Sequence, residues 1–360
     1  MSQENETSKY LSTSYKQARE LFLNSAEQKS AQIHSVLHPD KGLDGEDLFM
    51  DFAVLGPEDA DDALILISGT HGIEGFCGSF IQTKLMHSPD QLAALSNMKI
   101  ILLHAHNPYG FSWLRRTNEN NVDMNRNYCD FDENLDVNEA YLTVKDLILP
   151  EVYNAEAETE MQSWIKKNGV EKYQTIVLTG QRIDPDGIFY GDTKPAWSRE
   201  IVMSTLPKLV AKQKRIFAID IHTGLGPYAH GDAIHAYPKG SDEYERLSEW
   251  FGGEIIGINA GEYGEVSAIP RGPIVSSFDM ILPNHKSYAY VIEFGTVEFD
   301  RVIKALRMDG WLHAKGDLKS EQGKAIKQEM RDCFYVPDTG WLGDIWNRMV
   351  WCLAGFYDNA

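Results

Sequence analysis

The sequence predicts an α/β protein: a mixed, largely parallel twisted sheet with helices on both faces. Three observations carry that expectation. Short runs such as Ala63-Leu64-Ile65-Leu66-Ile67 and Ile100-Ile101-Leu102-Leu103 are apolar throughout, as strands buried on both faces are. Segments with three- and four-residue apolar spacing separate them, the alternation expected of strands joined by covering helices. Finally, His71, Asn107 and His222 all fall where such a run ends, and open α/β sheets hold their ligands at the carboxyl ends of strands.

The elements follow in order. Residues 8 to 37 read as helical, because Tyr10, Tyr15, Ala18, Leu21, Phe22 and Ala26 recur at helical steps. Pro39-Asp40-Lys41-Gly42 breaks that pattern. A strand is expected over 47–55, then an acidic turn from Gly56 to Asp62, then the apolar strand that runs into Gly69-Thr70-His71-Gly72-Ile73-Glu74-Gly75. Phe76 to Met86 is the helix after it, with Gly75, Cys77, Gly78 and Ser79 allowing close packing at its start. Lys99 to His106 is the next strand, closed by Asn107-Pro108. An Asn-rich loop and a polar helical insertion from about 135 to 170 come next. Tyr173 to Thr179, Arg215 to His222, Asp232 to Tyr237 and Ser287 to Phe294 are further strand candidates. The tail is helical in pattern, with Gly340 and Gly343 near its last break. With no repeat, low-complexity tract or linker in view, one domain over 1–360 is expected. A helical segment 1–40 and a helical segment 299–360 would pack on it.

Composition narrows the partners. The chain of 360 residues is 43% hydrophobic, ample for a sizeable core. Its 53 acidic residues against 34 basic ones give a net charge of -19, which argues against nucleic acid and anionic membrane surfaces. No run approaches ~20 apolar residues, so no membrane span is expected. The first residues lack the basic and apolar regions of a signal peptide, so a cytoplasmic protein is expected. Cys77, Cys129, Cys333 and Cys352 are far apart, so neither a disulfide framework nor a thiolate metal site is predicted.

Four stretches carry chemistry. His71 and Glu74, three apart at a strand exit, are suited to hold a metal. Asp220 and His222 sit two apart on a strand pattern and so share a face, with His222 able to supply a third ligand. The loop from Asn107 to Asn127 holds Arg115, Arg116 and Arg126, and guanidinium binds carboxylate in bidentate fashion. Glu293 interrupts an apolar strand, where burial raises a carboxyl toward the range useful for proton transfer. His104 and His106 read as core or supporting histidines, with membership of a second metal site as the alternative. No Gly-x-Ser-x-Gly stretch points to a serine hydrolase.

In this order, the four stretches resemble the zinc carboxypeptidase superfamily, over roughly residues 45 to 300. The resemblance looks strongest to a bacterial branch known as a domain of unknown function. It implies that His71, Glu74 and His222 bind one Zn2+ ion and that Glu293 is the general base. Asn125 and Arg126 would bind a substrate carboxylate, and Asp123 would orient the first ligand histidine. Arg115 is the choice for stabilising the oxyanion, with Arg116 next and otherwise a substrate-binding residue. The long His71-to-His222 spacing is assigned to the polar insertion, and the Arg115-to-Asn125 spacing is short for the family. The family's mobile substrate-binding tyrosine has Tyr263 as its candidate. The resemblance implies either a peptidase that removes a C-terminal residue or a deacylase of N-acyl amino acids, like aspartoacylase and succinylglutamate desuccinylase. Asp-x-Asn-Arg-Asn and Ile-Glu-Phe-Gly favour the peptidase. A non-catalytic binding protein on the same fold is the rival from another class.

Overall fold

The computed structural model describes residues 8–133, 135, 137–257 and 270–359. Its strands are β1 (Gln32–Lys41), β2 (Asp47–Leu55), β3 (Asp62–Ser68), β4 (Met98–His104), β5 (Arg215–Tyr228), β6 (Asp232–His235), β7 (Ile256–Gly257) and β8 (Lys286–Gly295). They form one sheet in the order β1-β2-β4-β3-β5-β8-β6-β7. The central four, β4-β3-β5-β8, run parallel. β1 and β2 add antiparallel on one side, and β6 pairs antiparallel with β8 on the other. This is the mixed, largely parallel sheet that the sequence predicts.

The apolar runs explain the layering. Leu64 and Leu66 of β3, with Ile100 and Leu102 of β4, belong to one core. Ala63, Ile65 and Ile67, with Ile101 and Leu103, belong to the core on the opposite face. Successive side chains of a strand alternate faces, so only an unbroken apolar run can feed both. Fully burying one such Leu or Ile contributes about 1.5–3 kcal/mol. The covering helices include α1 (Tyr15–Gln28), α2 (Gly75–Met86), α3 (Ala155–Asn168), α4 (Val170–Leu178), α5 (Trp197–Leu209), α6 (Phe299–Lys315), α7 (Glu321–Phe334) and α8 (Thr339–Tyr357). Phe22, Phe80, Leu306, Met330 and Ile345 bring α1, α2, α6, α7 and α8 to the first face. Val202 and Leu206 bring α5 to the second.

Several elements differ from the sequence expectation. The N-terminal segment is not helical throughout: α1 ends at Gln28, and Gln32 to Lys41 is an edge strand. It pairs with β2 from Gln32 opposite Val54 to Lys41 opposite Asp47. The pairing outweighs the helical spacing, and Pro39 is tolerated because an edge strand needs fewer ladder donors. Tyr173 to Thr179 is not a strand but the end of α4 and its cap. Tyr173, Ile176 and Val177 are buried there at helical spacing, so the run Thr175-Ile176-Val177 was β-like in composition only. Gly340 and Gly343 lie inside α8. The break comes before them, where the Asp338 side chain accepts from the Gly340 and Trp341 amides and starts the helix. Helix α5 had no counterpart in the sequence reading. Among the described residues no helix is long and apolar enough to cross a membrane.

Candidate metal centre and its cavity

The centre grows from the end of β3. Gly69 takes φ of 68°, a left-handed conformation that glycine adopts without strain, and the chain turns there into His71. Gly72 to Glu74 form a short 3-10 turn ahead of α2. A Cβ on Gly72 would overlap the Gly110 backbone, so only glycine lets the loop after β4 close over this turn. That loop also clamps the turn. Gly72 N donates to Arg116 O at 3.2 Å and Ile73 N to Arg115 O at 2.9 Å. His222 arrives on β5, directly opposite Glu293 of β8.

The side chains converge. His71 Nδ1 lies 2.8 Å from Glu74 Oε1, His222 Nδ1 lies 2.9 Å from Glu74 Oε2, and the two Nδ1 atoms are 3.1 Å apart. Among the described residues this is the one group of three or more His, Cys, Asp or Glu placed to share a metal ion. Each outer nitrogen has its own carboxylate. His71 Nε2 is 3.2 Å from Asp123 Oδ1, and His222 Nε2 is 2.6 Å from Asp220 Oδ2. A carboxylate at Nε2 holds the ring hydrogen there and turns the Nδ1 lone pair inward.

Two inward lone pairs and a carboxylate repel one another unless positive charge stands between them. The electrostatics agree. Burial works against a charged His222, but Asp220 and Glu74 overcome it and push the imidazole well up. Burial likewise opposes a charged Glu74, yet His71 and His222 hold its carboxyl down to about 2. Two nitrogens bound to one tetrahedral zinc at 2.0–2.1 Å lie roughly 3.3 Å apart, close to the spacing found here. The donor set therefore fits a zinc ion.

Glu293 faces the same space and is 8% exposed. Burial raises its carboxyl to about 8, against the pull of His222 and with Glu74 adding to the rise. Asp123 is driven the other way. Burial opposes its charge, but Arg116, His71 and Arg126 hold it well below the usual carboxylate range.

The arginines divide. Arg116 lines the cavity, donates from Nε to Asp123 Oδ2 at 2.8 Å, and reaches within 3.8 Å of Glu74 through Nη1. Arg115 turns away. Its Nη2 donates to Asn121 Oδ1 at 2.8 Å, and its Nε lies 3.6 Å from Asp309 Oδ2 on α6. Arg115, the sequence choice for the oxyanion, thus does not line the cavity, whereas Arg116 does. The reason is that Asp309, itself buried, captures Arg115 where a guanidinium without a partner would be costly.

Asn125 and Arg126 also line the cavity. Asn125 Oδ1 accepts from Ile274 N at 3.2 Å. Arg126 donates from Nη1 to Asn125 O at 2.9 Å and from Nη2 to Leu178 O at 2.6 Å, while its buried Nε has no partner among the described residues. Burial brings its guanidinium down to about 10. Tyr263 lies outside the described residues.

The cavity is about 380 Å³. Besides the charged groups just described, its lining includes an apolar wall: Leu178 of α4, Phe189, Phe299, Ile303 and Leu306 of α6, and Phe334 of α7. Sequence reasoning assigned no wall role to the segment after the polar insertion, which carries Leu178 and Phe189. The spacing of Phe299, Ile303 and Leu306 marked an apolar helix face, but the same spacing serves ordinary core packing. His104 and His106 belong to no metal-ligating group among the described residues. His104 Nε2 meets Ser79 Oγ at 3.0 Å, and its ring stacks on Phe22 at 4.5 Å. His106 bonds Thr70 and Tyr128 instead. β4 ends at His104 and Ala105 takes φ of 44°, so strand alternation no longer keeps the two rings together.

Among solved structures, the chain is similar to bovine thrombin-activatable fibrinolysis inhibitor in complex with tick carboxypeptidase inhibitor, at 11% identity and a TM-score of 0.45, covering 89% of this chain and 96% of that one. It is also similar to the carboxypeptidase A from Helicoverpa armigera, at 11% identity and a TM-score of 0.43, covering 89% of this chain and 73% of that one. At this distance neither lends its activity to this chain. No curated protein matches it. A family model does match, over residues 10–348, and the chain belongs to that family, described as Protein of unknown function (DUF2817).

Proposed function

We propose that the chain is a zinc-dependent hydrolase that cleaves an amide bond next to a carboxylate-bearing group, with peptide C termini as its substrates. One observation carries the reading: His71, Glu74 and His222 converge beside a buried Glu293 in one cavity. A zinc ion held by His71 Nδ1, Glu74 and His222 Nδ1 would supply a Lewis acid for the scissile carbonyl and lower the pKa of water.

The chain's own residues do the rest. Glu293 takes a proton from the attacking water and delivers it to the leaving amine. Arg116 faces the charge that develops on the carbonyl oxygen. Asn125 and Arg126 receive the substrate carboxylate and so fix the bond for attack. The apolar wall takes the substrate's side chain and keeps water from it. A second reading is a deacylase of N-acyl amino acids. It is favoured by the cavity volume of about 380 Å³, which is near the small end for ligand sites.

Glu293→Gln tests the mechanism. Zinc content by metal analysis should stay at one ion, while hydrolysis falls about 10²–10⁴-fold. Near-normal hydrolysis with zinc bound would remove Glu293 from its role. Mass-spectrometric screening of peptide and N-acyl amino acid pools separates the two substrates by which pool is consumed.

A further inference from the structure

Behind His222 stands a row of buried polar side chains that the hydrolysis just described leaves unused. Asp220 Oδ2 lies 2.6 Å from His222 Nε2, and its other oxygen, Oδ1, accepts from Thr70 Oγ1 at 2.7 Å. Thr70 Oγ1 lies 3.1 Å from His106 Nδ1, and His106 Nε2 lies 2.8 Å from the Tyr128 hydroxyl. Thr70, His106 and Asp220 are 0% exposed, His222 1% and Tyr128 2%. The row joins the turn after β3, the end of β4, β5 and the loop that carries Asn125 and Arg126.

The chemistry of the groups orders every hydrogen in the row. A carboxylate has no hydrogen to give, so Asp220 accepts from both sides. The one hydroxyl hydrogen of Thr70 goes to Asp220, so Thr70 must accept from His106, whose hydrogen is then on Nδ1. Burial holds the His106 imidazole down to about 4, so it is neutral and its Nε2 is bare. The Tyr128 hydroxyl donates to that nitrogen. Read in the other direction, the same order requires His222 to carry its hydrogen on Nε2. Its Nδ1 is the nitrogen left on the side of His71 and Glu74. His71 has no such row behind it, since Asp123 is held by Arg116 and the Asn125 amide.

We propose that Thr70, His106 and Tyr128 are positioning residues that act through Asp220 to lock His222 in the Nε2–H form, presenting Nδ1 to a zinc ion. This rests on the zinc-hydrolase reading. Carboxylate partners of ligand histidines, and the groups that hold them, set ligand orientation, and losing one weakens metal binding.

The experiment measures zinc affinity, by competition with a chromophoric chelator, for the wild type, Thr70→Val, Thr70→Ser and Tyr128→Phe. Thr70→Val should bind zinc about 10–100-fold more weakly, Thr70→Ser should recover most of the loss, and Tyr128→Phe should show a smaller loss. A wild type that binds zinc no more tightly than Thr70→Val overturns the positioning role and leaves the hydrolase reading intact. A wild type that binds no zinc overturns the hydrolase reading. In that case nitrogen-15 spectra of the imidazoles decide the row by itself: His106 as the Nδ1–H tautomer supports it, and the Nε2–H tautomer overturns it. If Thr70→Val fails to fold, Tyr128→Phe takes its place, and unchanged zinc affinity in that variant counts against the proposal.

Discussion

Three pairs of near neighbours in this chain have opposite surroundings. Arg116 faces the cavity while Arg115 is bound to Asp309 behind it. His106 joins the row that ends at His222, whereas His104 is stacked on Phe22 in the core. Leu306 lines the apolar wall, and Arg307 beside it donates to Glu158 Oε1 at 2.8 Å and to Leu147 O. Within each pair, the surroundings are set by a turn or by helix rotation and not by residue type. An arginine one position away is therefore a poor substitute for the one that lines the cavity.

The largest effect should separate Arg116 from Arg115. Arg116→Ala should lower kcat about 10²–10³-fold, the cost of losing an oxyanion partner, with zinc content unchanged. Arg115→Met should keep kcat per folded molecule but lower Tm, because Asp309 loses one of its cations. Steady-state kinetics and thermal melts on both variants check this, and equal losses of kcat would erase the distinction. A smaller effect is expected at the wall. Leu306→Ala should lower kcat/KM about tenfold for substrates with a large apolar side chain and leave glycine substrates nearly unchanged. Arg307→Met should leave the ratio of the two substrates alone.

The smallest contrast is one of stability against pH. Burial holds His104 at about 4 in the folded chain, against ~6.5 when unfolded. Between those values the unfolded chain binds the proton and the folded chain does not. Stability should therefore fall as pH drops from ~6.5 toward 4, by at most roughly 1.4 kcal/mol per unit from this group. His104→Gln should flatten that part of the slope, read as urea midpoints at pH 7 and pH 5. An unaltered slope would mean that His104 is not the group responsible.

Much of the fold was legible because β3, β4, β5 and β8 are written as continuous apolar runs, and only a sheet covered on both faces needs them. Edge strand β1 was hidden because its pairing with β2 is a long-range contact, while the helical spacing before it is local. α4 was misread because Thr175-Ile176-Val177 looks β-like until the burial of Tyr173, Ile176 and Val177 reveals a helical face. The resemblance to a branch known as a domain of unknown function agrees with the family to which the chain belongs. At the site, His71, Glu74, His222 and Glu293 stood out at strand ends, whereas Asp123 came only from the resemblance. The row behind His222 did not stand out, since Thr70, His106 and Tyr128 carry no shared spacing.

By itself, then, the sequence determined the layered sheet and which strand ends carry histidines and carboxylates, because alternation and burial are local consequences of residue type. Tertiary structure alone decided that Glu74 faces both histidines, that Arg116 and not Arg115 reaches them, and that α4, α6 and α7 close the cavity. Those outcomes depend on the left-handed turns at Gly69 and Ala105 and on ion pairs between residues far apart in the chain. No local pattern encodes such contacts, because their energy comes from which distant surface arrives to pair with them.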